Sequence, residues 1–172
     1  MFSGKLWDFS LDQFTPKGDG MFQGAAALSL DAKGRLTVPS RHRDALQSTS
    51  APSAPLPSSL VLTAHPDGCL LLYPAAAWEP IRNRVMGFPS LDARFSLWKR
   101  LLVGFAEEVD TDAAWRVLIS PELRNFAKLD KSVMLVGQGS HFEIWNHEIW
   151  DKQLQKLAQQ SELPPGMEDF AL

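Results

Sequence analysis

The chain repeats itself, and that repetition limits its folds more than any other property. Asp31-x-x-x-Arg35 returns as Asp112-x-x-x-Arg116, Val38 as Ile119 and Arg43 as Arg124, all at a spacing of 81 residues. Ser59-Leu60-Val61-Leu62 returns as Ser132-Val133-Met134-Leu135 at 73, and Leu72-Tyr73 and Trp78 return as Ile144-Trp145 and Trp150 at 72. The spacing shrinks only across loops. A Ser/Ala/Pro stretch over 50–58 accounts for eight residues, and a turn at His65 that is one residue longer than its counterpart at Gln138 accounts for the last. Insertions confined to loops, between elements that keep register, are the residue of an internal duplication. Each half is too small to bury its apolar faces well. The two must therefore pack on each other, strand against strand, as a pseudo-twofold unit, which predicts a compact α+β domain.

Composition narrows the function classes. The 172 residues suffice for one ordinary domain or for two small units sharing a core. A hydrophobic share of 45% with mixed charges describes a globular chain, not a disordered one. A net charge of -3 excludes a surface coated in positive charge, so any nucleic-acid contact is local or is shared among subunits. Cys69 is the sole cysteine, which excludes an intrachain disulfide and fits a reducing compartment. Its apolar neighbours, Leu70 to Tyr73, describe a buried and inert thiol. No apolar run approaches the roughly 20 residues that span a bilayer, so no membrane partner is expected. Residues 1–20 carry Asp8, Asp12 and Asp19 where a secretory signal needs an unbroken apolar stretch. They read as a flexible extension, with Met21-Phe22 resembling a second start.

Within each half the elements follow one order. Two short strands over about 25–31 and 35–38 flank a turn through Ala32, Lys33 and Gly34, and a short helix follows Pro39 with Ser40 as its cap. The Ser/Ala/Pro stretch reads as a loop. Strands at 60–64 and 69–73 enclose a His65-Pro66-Asp67-Gly68 turn, and a helix passes through Trp78, Ile81 and Val85. That helix tolerates Pro80 only if the proline falls in its first turn. In the middle, Leu91, Phe95, Trp98, Leu102 and Phe105 recur at helical spacing, which predicts a capped helix after Ser90 whose apolar stripe is core.

The motif itself reads as a built anion-binding tip or as a solvated hairpin, and charge alone leaves both open. Asp31 can accept backbone N–H bonds and hold the turn, while Gly34 lets the chain reverse. Lys33 and Arg35 then project from a stiff tip. Arginine presents a planar fork suited to phosphate oxygens or guanine, whereas lysine acts as a mobile point charge. Arg41 and Arg43 on the following helix are placed to touch a DNA backbone or a neighbouring subunit. The second turn departs from the first. Trp115 stands where Gly34 stands, no lysine accompanies it, and Glu107, Glu108, Asp110 and Asp112 surround it. A tryptophan resists the left-handed conformation open to glycine, so this turn is expected to differ in shape, or its ring to pack on a neighbour. Arg116 is open to two readings, a DNA contact and an ion-pair partner of those acids. Arg43 and Arg124, each eight residues after its motif arginine, are assigned to the fold or the subunit interface.

These residues carry a resemblance. The segments 21–46, 69–79, 100–106, 116–127 and 133–145, with their paired Asp-x-x-x-Arg motifs, resemble the bacterial MraZ family. The resemblance implies two SpoVT-AbrB repeats of swapped-hairpin type with a β-barrel-like core and flanking helices. They would occupy 25–72 and 103–146, with connecting helices at 73–102 and a C-terminal helix and tail at 147–172. It implies a sequence-specific transcriptional regulator, cytoplasmic and nucleoid-associated, that binds double-stranded DNA as a ring-shaped homo-oligomer. The implied target is a set of short, G-rich direct repeats upstream of its own gene, at the head of a cell-division and cell-wall cluster. Lys33, Arg35, Arg41 and Arg116 are then the DNA-binding candidates, with Asp31, Gly34, Asp112, Arg43 and Arg124 holding the motif.

The residues bear on two other classes. His65 and Asp67 share a turn, and His141, Glu143 and His147 are near in sequence, yet His147 falls beyond Asn146, the apparent cap of the last helix, which breaks a metal geometry. With no HExxH, CxxC, P-loop or GxSxG pattern, neither an enzyme nor a cofactor is expected. A protein-binding scaffold or antitoxin-like module on the same fold is the alternative, because a fold alone does not specify DNA.

Overall fold

Alternation of apolar side chains along consecutive strands decides the layering of this molecule. The computed structural model describes residues 21–48, 59–89 and 91–159. The expected N-terminal extension, the Ser/Ala/Pro loop, Ser90 and the tail beyond the last helix lie outside the described residues. The first half runs β1 (Ala25–Ser29), β2 (Arg35–Thr37), α1 (Ser40–Ser48), β3 (Ser59–Ala64), β4 (Leu70–Pro74) and α2 (Ala75–Met86). A linking helix, α3 (Ala93–Leu102), precedes the second half: β5 (Glu107–Asp110), β6 (Arg116–Leu118), α4 (Pro121–Phe126), β7 (Ser132–Gly137), β8 (Phe142–Asn146) and α5 (His147–Gln159). The two halves thus repeat one order of elements, as the spacing of the sequence predicts.

Six strands form an antiparallel sheet in the order β1-β7-β8-β4-β3-β5, and β2 pairs with β6 in a separate ribbon. Exchanging each strand for its counterpart in the other half reverses this order and leaves it otherwise unchanged. Its centre is the β4–β8 pair, and each half lends its first strand to the other: β1 pairs with β7, and β5 with β3. The sheet ends at β1 and β5. Among the described residues no pairing joins these two edges, so the expected barrel-like core is an open sheet with a ribbon packed over it.

Both faces of the sheet are apolar. Leu60, Leu62, Leu70, Leu72, Leu135 and Ile144 point to the side covered by the ribbon, α1 and α4, and pack there on Leu36, Val117, Leu46 and Leu123. The intervening Val61, Leu71, Tyr73, Met134 and Trp145 point to the opposite side, where Trp78 of α2 and the ring of Trp150 cover them. A strand that is covered on both faces loses the polar alternation of a half-exposed strand, and β4 is buried along its whole length. Cys69 belongs to this second layer, and burial pushes its thiol far up, so it is inert at neutral pH.

Two helix expectations change. Pro80 is the sixth residue of α2, not part of its first turn. A proline there removes a backbone bond and costs about 3 kcal/mol, and the helix persists because burial of Trp78 and Val85 anchors it on either side. In α3 the cap is Asp92, whose carboxylate accepts the Arg94 N–H at 2.9 Å, and Phe105 lies beyond the helix, against Phe126. None of its residues is buried. Leu91, Leu97 and Trp98 are exposed, and the stripe expected to be core reaches the second layer only through Leu102. The sheet face that α3 would have covered is already covered by Trp78 of α2 and the ring of Trp150.

One partly buried group makes this packing sensitive to acid. His141 stacks on Tyr73 with ring centroids 4.4 Å apart, and burial, with His65 nearby, lowers its pKa from 6.5 to about 4. Because the folded value lies below the unfolded one, its contribution to stability is complete above pH 6.5 and is lost as the pH falls toward about 4. Burial displaces His42 in the same direction. Melting temperature is expected to drop between about pH 7 and pH 4.5, and His141→Phe, which keeps a ring against Tyr73, is expected to flatten that drop. Equal slopes in the two proteins would assign the acid sensitivity elsewhere.

Candidate nucleic-acid interface

The two Asp-x-x-x-Arg motifs build the same turn, bond for bond. In the first, Asp31 Oδ1 accepts the backbone N–H of Lys33 at 2.9 Å and of Arg35 at 3.0 Å, and Oδ2 accepts Arg35 Nε–H at 2.6 Å. In the second, Asp112 Oδ1 accepts Ala114 at 2.9 Å and Arg116 at 3.0 Å, and Oδ2 accepts Arg116 Nε–H at 2.7 Å. The backbone N–H of Gly34 and of Trp115 each donates to the carbonyl of its motif aspartate at 2.9 Å. Bonds to the ionised form lower a carboxyl's pKa. The Arg35 backbone N–H is the largest such influence on Asp31, whose pKa is down to about 2, and the Arg116 backbone N–H lowers Asp112 likewise.

Of the two expectations for the second turn, a different shape is therefore corrected, whereas packing of the Trp115 ring on a neighbour is what occurs. Trp115 adopts φ +58°, beside φ +81° for Gly34. A left-handed residue with a side chain costs roughly 1–2 kcal/mol, and the surroundings of the ring offset it. The indole packs on the first core, and the Arg43 guanidinium lies over it, 5.7 Å from the ring centroid. The first turn mirrors this arrangement. A Cβ placed on Gly34 would lie 2.7 Å from Cζ and Nε of Arg124, so the arginine fills the space that a side chain would need. Arg43 Nε donates to the Val38 carbonyl and Arg124 Nε to the Ile119 carbonyl, both at 3.1 Å. Each of these arginines thus clamps its own strand end and lies against the turn of the other half. The turns bond across as well: Val38 N–H donates to the Trp115 carbonyl at 2.8 Å, and Ile119 N–H to the Gly34 carbonyl at 3.0 Å.

These crossed contacts carry the ribbon between the turns. Its register pairs Arg35 with Leu118, Leu36 with Val117 and Thr37 with Arg116. Leu36 and Val117 are fully buried and face the sheet. Period-two alternation then sends Arg35, Thr37, Arg116 and Leu118 to the outer face. Both motif arginines stand on that face, on one diagonal, partly exposed. Their bonds to aspartate run through Nε; among the described residues the terminal Nη1 and Nη2 are the part of the guanidinium left for an external partner. The carboxylate fixes each arginine's direction, and this is pre-organisation of the kind that planar, bidentate recognition needs.

The other sequence candidates fall in different places. Lys33 is exposed at the tip of the first turn, and its counterpart is Ala114. Arg41 lies apart from that tip: its Nε is 3.0 Å from His42 Nε2, and a terminal nitrogen comes within 3.7 Å of where a Gly24 side chain would start. Arg116 takes Asp112 as its ion-pair partner, while Glu107 accepts the Ser120 hydroxyl at 2.7 Å beside the start of α4. Asn146 caps α5 by accepting the Ile149 N–H at 3.1 Å. Thr37 and Leu118 are absent from the sequence candidates. They occupy equivalent places in the two repeats, two residues after each motif arginine, and the period of two was the signal that would have found them. Among the described residues no helix is long and apolar enough to cross a membrane.

Comparison with known proteins agrees with the duplicated motif. The model of one family, the MraZ protein, described as antitoxin-like, matches twice, over residues 21–99 and 102–166. The chain is similar to proteins called Transcriptional regulator MraZ. One, from Methylobacillus flagellatus, is 55% identical over 154 residues, covering 88% of this chain and 100% of the relative. Another, from Aromatoleum aromaticum, is 55% identical with the same coverage. A third, from Cupriavidus taiwanensis, is 49% identical over 151 residues, covering 88% of this chain and 99% of the relative.

Proposed function

This chain belongs to the MraZ family, and from that membership and its two matched turns we propose that it regulates transcription by presenting the outer face of the β2/β6 ribbon to duplex DNA. Its relatives are transcriptional regulators by name, a role that is not enzymatic. The observation that carries the reading is the pair of arginines fixed by aspartate on one face of a two-stranded ribbon. A two-stranded ribbon fits a major groove, which is about 12 Å wide. Arg35 and Arg116 approach bases or phosphates, Lys33 supplies a mobile charge at the tip, and Arg41, apart from that tip, serves as a DNA-backbone contact. Exchange of β1 and β5 between halves supports the description of the repeats as swapped hairpins. The target of this reading is a set of direct repeats upstream of the protein's own gene, and the protein works in the cytoplasm on the nucleoid.

One ribbon offers few charges, and few phosphate contacts give weak, salt-sensitive binding. A ring of identical ribbons, matched to repeats about one helical turn apart, raises the effective concentration of each later contact. A fragment from upstream of the gene is expected to bind tightly only with its direct repeats present, and only to the oligomer seen by light scattering. Equal affinity for fragments with and without the repeats would sink the specific regulator. A monomer that grips a single repeat tightly would sink the ring. The antitoxin-like scaffold reading would gain if retention on DNA did not weaken with salt.

A further inference from the structure

The outer face of the ribbon holds four side chains at the corners of a rectangle. Arg35 stands beside Leu118 at one end, and Arg116 beside Thr37 at the other. Cross-strand neighbours of this kind have Cβ atoms about 5 Å apart, and the two ends are separated by two residues of strand, about 6.7 Å. The arginines occupy one diagonal and are equivalent in geometry. The other diagonal is not, because the first repeat places a threonine where the second places a leucine. Leu118 is 54% exposed, while its neighbours Val117 and Ile119 are fully buried. A leucine that points outward contributes nothing to either core and sits next to an arginine already fixed for recognition.

We infer that Leu118 is a base-reading side chain, which selects a thymine C5-methyl group next to the base contacted by Arg35; this rests on the proposed DNA-binding role of the ribbon. In the major groove only the A·T pair displays a methyl group, and an apolar side chain is the partner that recognises it. A leucine is flexible enough to cover that methyl yet has no polar atom with which to read anything else. Thr37, at the Arg116 end, carries both a methyl and a hydroxyl and so accepts more than one base. The ribbon therefore reads its two ends differently, although its arginines are arranged alike. That asymmetry gives a direction on the DNA to a motif whose backbone is nearly twofold.

Uracil differs from thymine only in lacking the methyl group, which makes the inference directly testable. The fragment upstream of the protein's own reading frame is prepared once with thymine and once with uracil in its place, and binding of the full chain is followed by fluorescence anisotropy. The parent protein is expected to bind the uracil fragment about fourfold more weakly for each engaged ribbon, the factor that corresponds to one buried methyl. Leu118→Ala, and Leu118→Asn, which keeps the side-chain shape, are expected to lose most of that difference while keeping the oligomer mass in light scattering. Retention of the full ratio in both variants would overturn the inference, as would a change in oligomer mass, which would place Leu118 between subunits. Equal binding of the two fragments by the parent would refute Leu118 as a reader and leave DNA binding standing. No binding of either fragment would remove the DNA reading itself.

Discussion

Arg35→Ala and Arg116→Ala are each expected to weaken specific DNA binding by between about 5-fold and 150-fold, the range of one well-placed bidentate contact, with the double variant reduced to non-specific affinity. Each arginine is fixed in the same way, so the two losses are expected to agree within a few-fold. This differs from the ranking that charge and composition suggest, in which Trp115 and the acids around it set the second turn apart. Lys33 breaks the equivalence. Its removal is expected to lower the slope of affinity against salt by about one phosphate contact and to leave preference among repeats intact. Stability should change little in all three. When either arginine is shortened, the motif aspartate still accepts two backbone N–H groups and the turn is held. Surface substitutions of this kind cost within about 0.5 kcal/mol. Anisotropy over a salt series, with melting of each variant in parallel, decides the matter. If one arginine variant binds as the parent does, the reading face is confined to the other turn.

Much of the architecture was legible because a duplication writes each element twice. The strand pairs at Leu60 and Leu70, the turn at His65 and the cap at Asn146 all rest on local chemistry, and local chemistry is what a sequence displays. The exchange of β1 and β5 between halves was not legible in the residue pattern and entered only through the family resemblance, since pairing across the chain follows from which face can be buried, not from propensity. Nor was the outward stripe of α3. Helical spacing says that Trp98 and Leu102 share a side, but not whether anything in the same chain remains to cover it. At the site, spacing located Asp31, Arg35, Asp112 and Arg116 without help. What it missed was the crossed support: Arg43 reaches Trp115 and Arg124 reaches Gly34 only because the halves interlock. That support lets a tryptophan hold a backbone conformation it would avoid alone. The period of two could have put Thr37 and Leu118 on the face of the motif arginines, but the register that sets each beside an arginine of the other half could not be read.

The crossed support also predicts an inversion of ordinary side-chain preference at the two turns. Gly34→Ala introduces a Cβ 2.7 Å from Cζ and Nε of Arg124 and forces a side chain onto φ +81°. Arg124 must then leave the Ile119 carbonyl that it holds at 3.1 Å. Left-handed strain of about 1 kcal/mol or more adds to about 1 kcal/mol for the lost bond. A total near 2 kcal/mol should lower the melting temperature by roughly 4–8 °C in a chain of this size. Arg124→Ala in the same background removes the obstruction, so the pair is expected to cost less than the sum of its parts. At the other turn the comparison is Trp115→Ala against Trp115→Gly. Both lose the contact with Arg43 and the ring's packing on the first core, but only alanine keeps the strain of φ +58°. Glycine usually costs more than alanine because it frees the unfolded chain, yet here Trp115→Gly is expected to be the more stable by roughly 1 kcal/mol. Chemical denaturation of the two variants measures the sign directly. An alanine variant that outlasts the glycine one would mean that the second turn relaxes out of the left-handed region once the indole is gone, and that the ring, not the Asp112 bonds, imposes its shape.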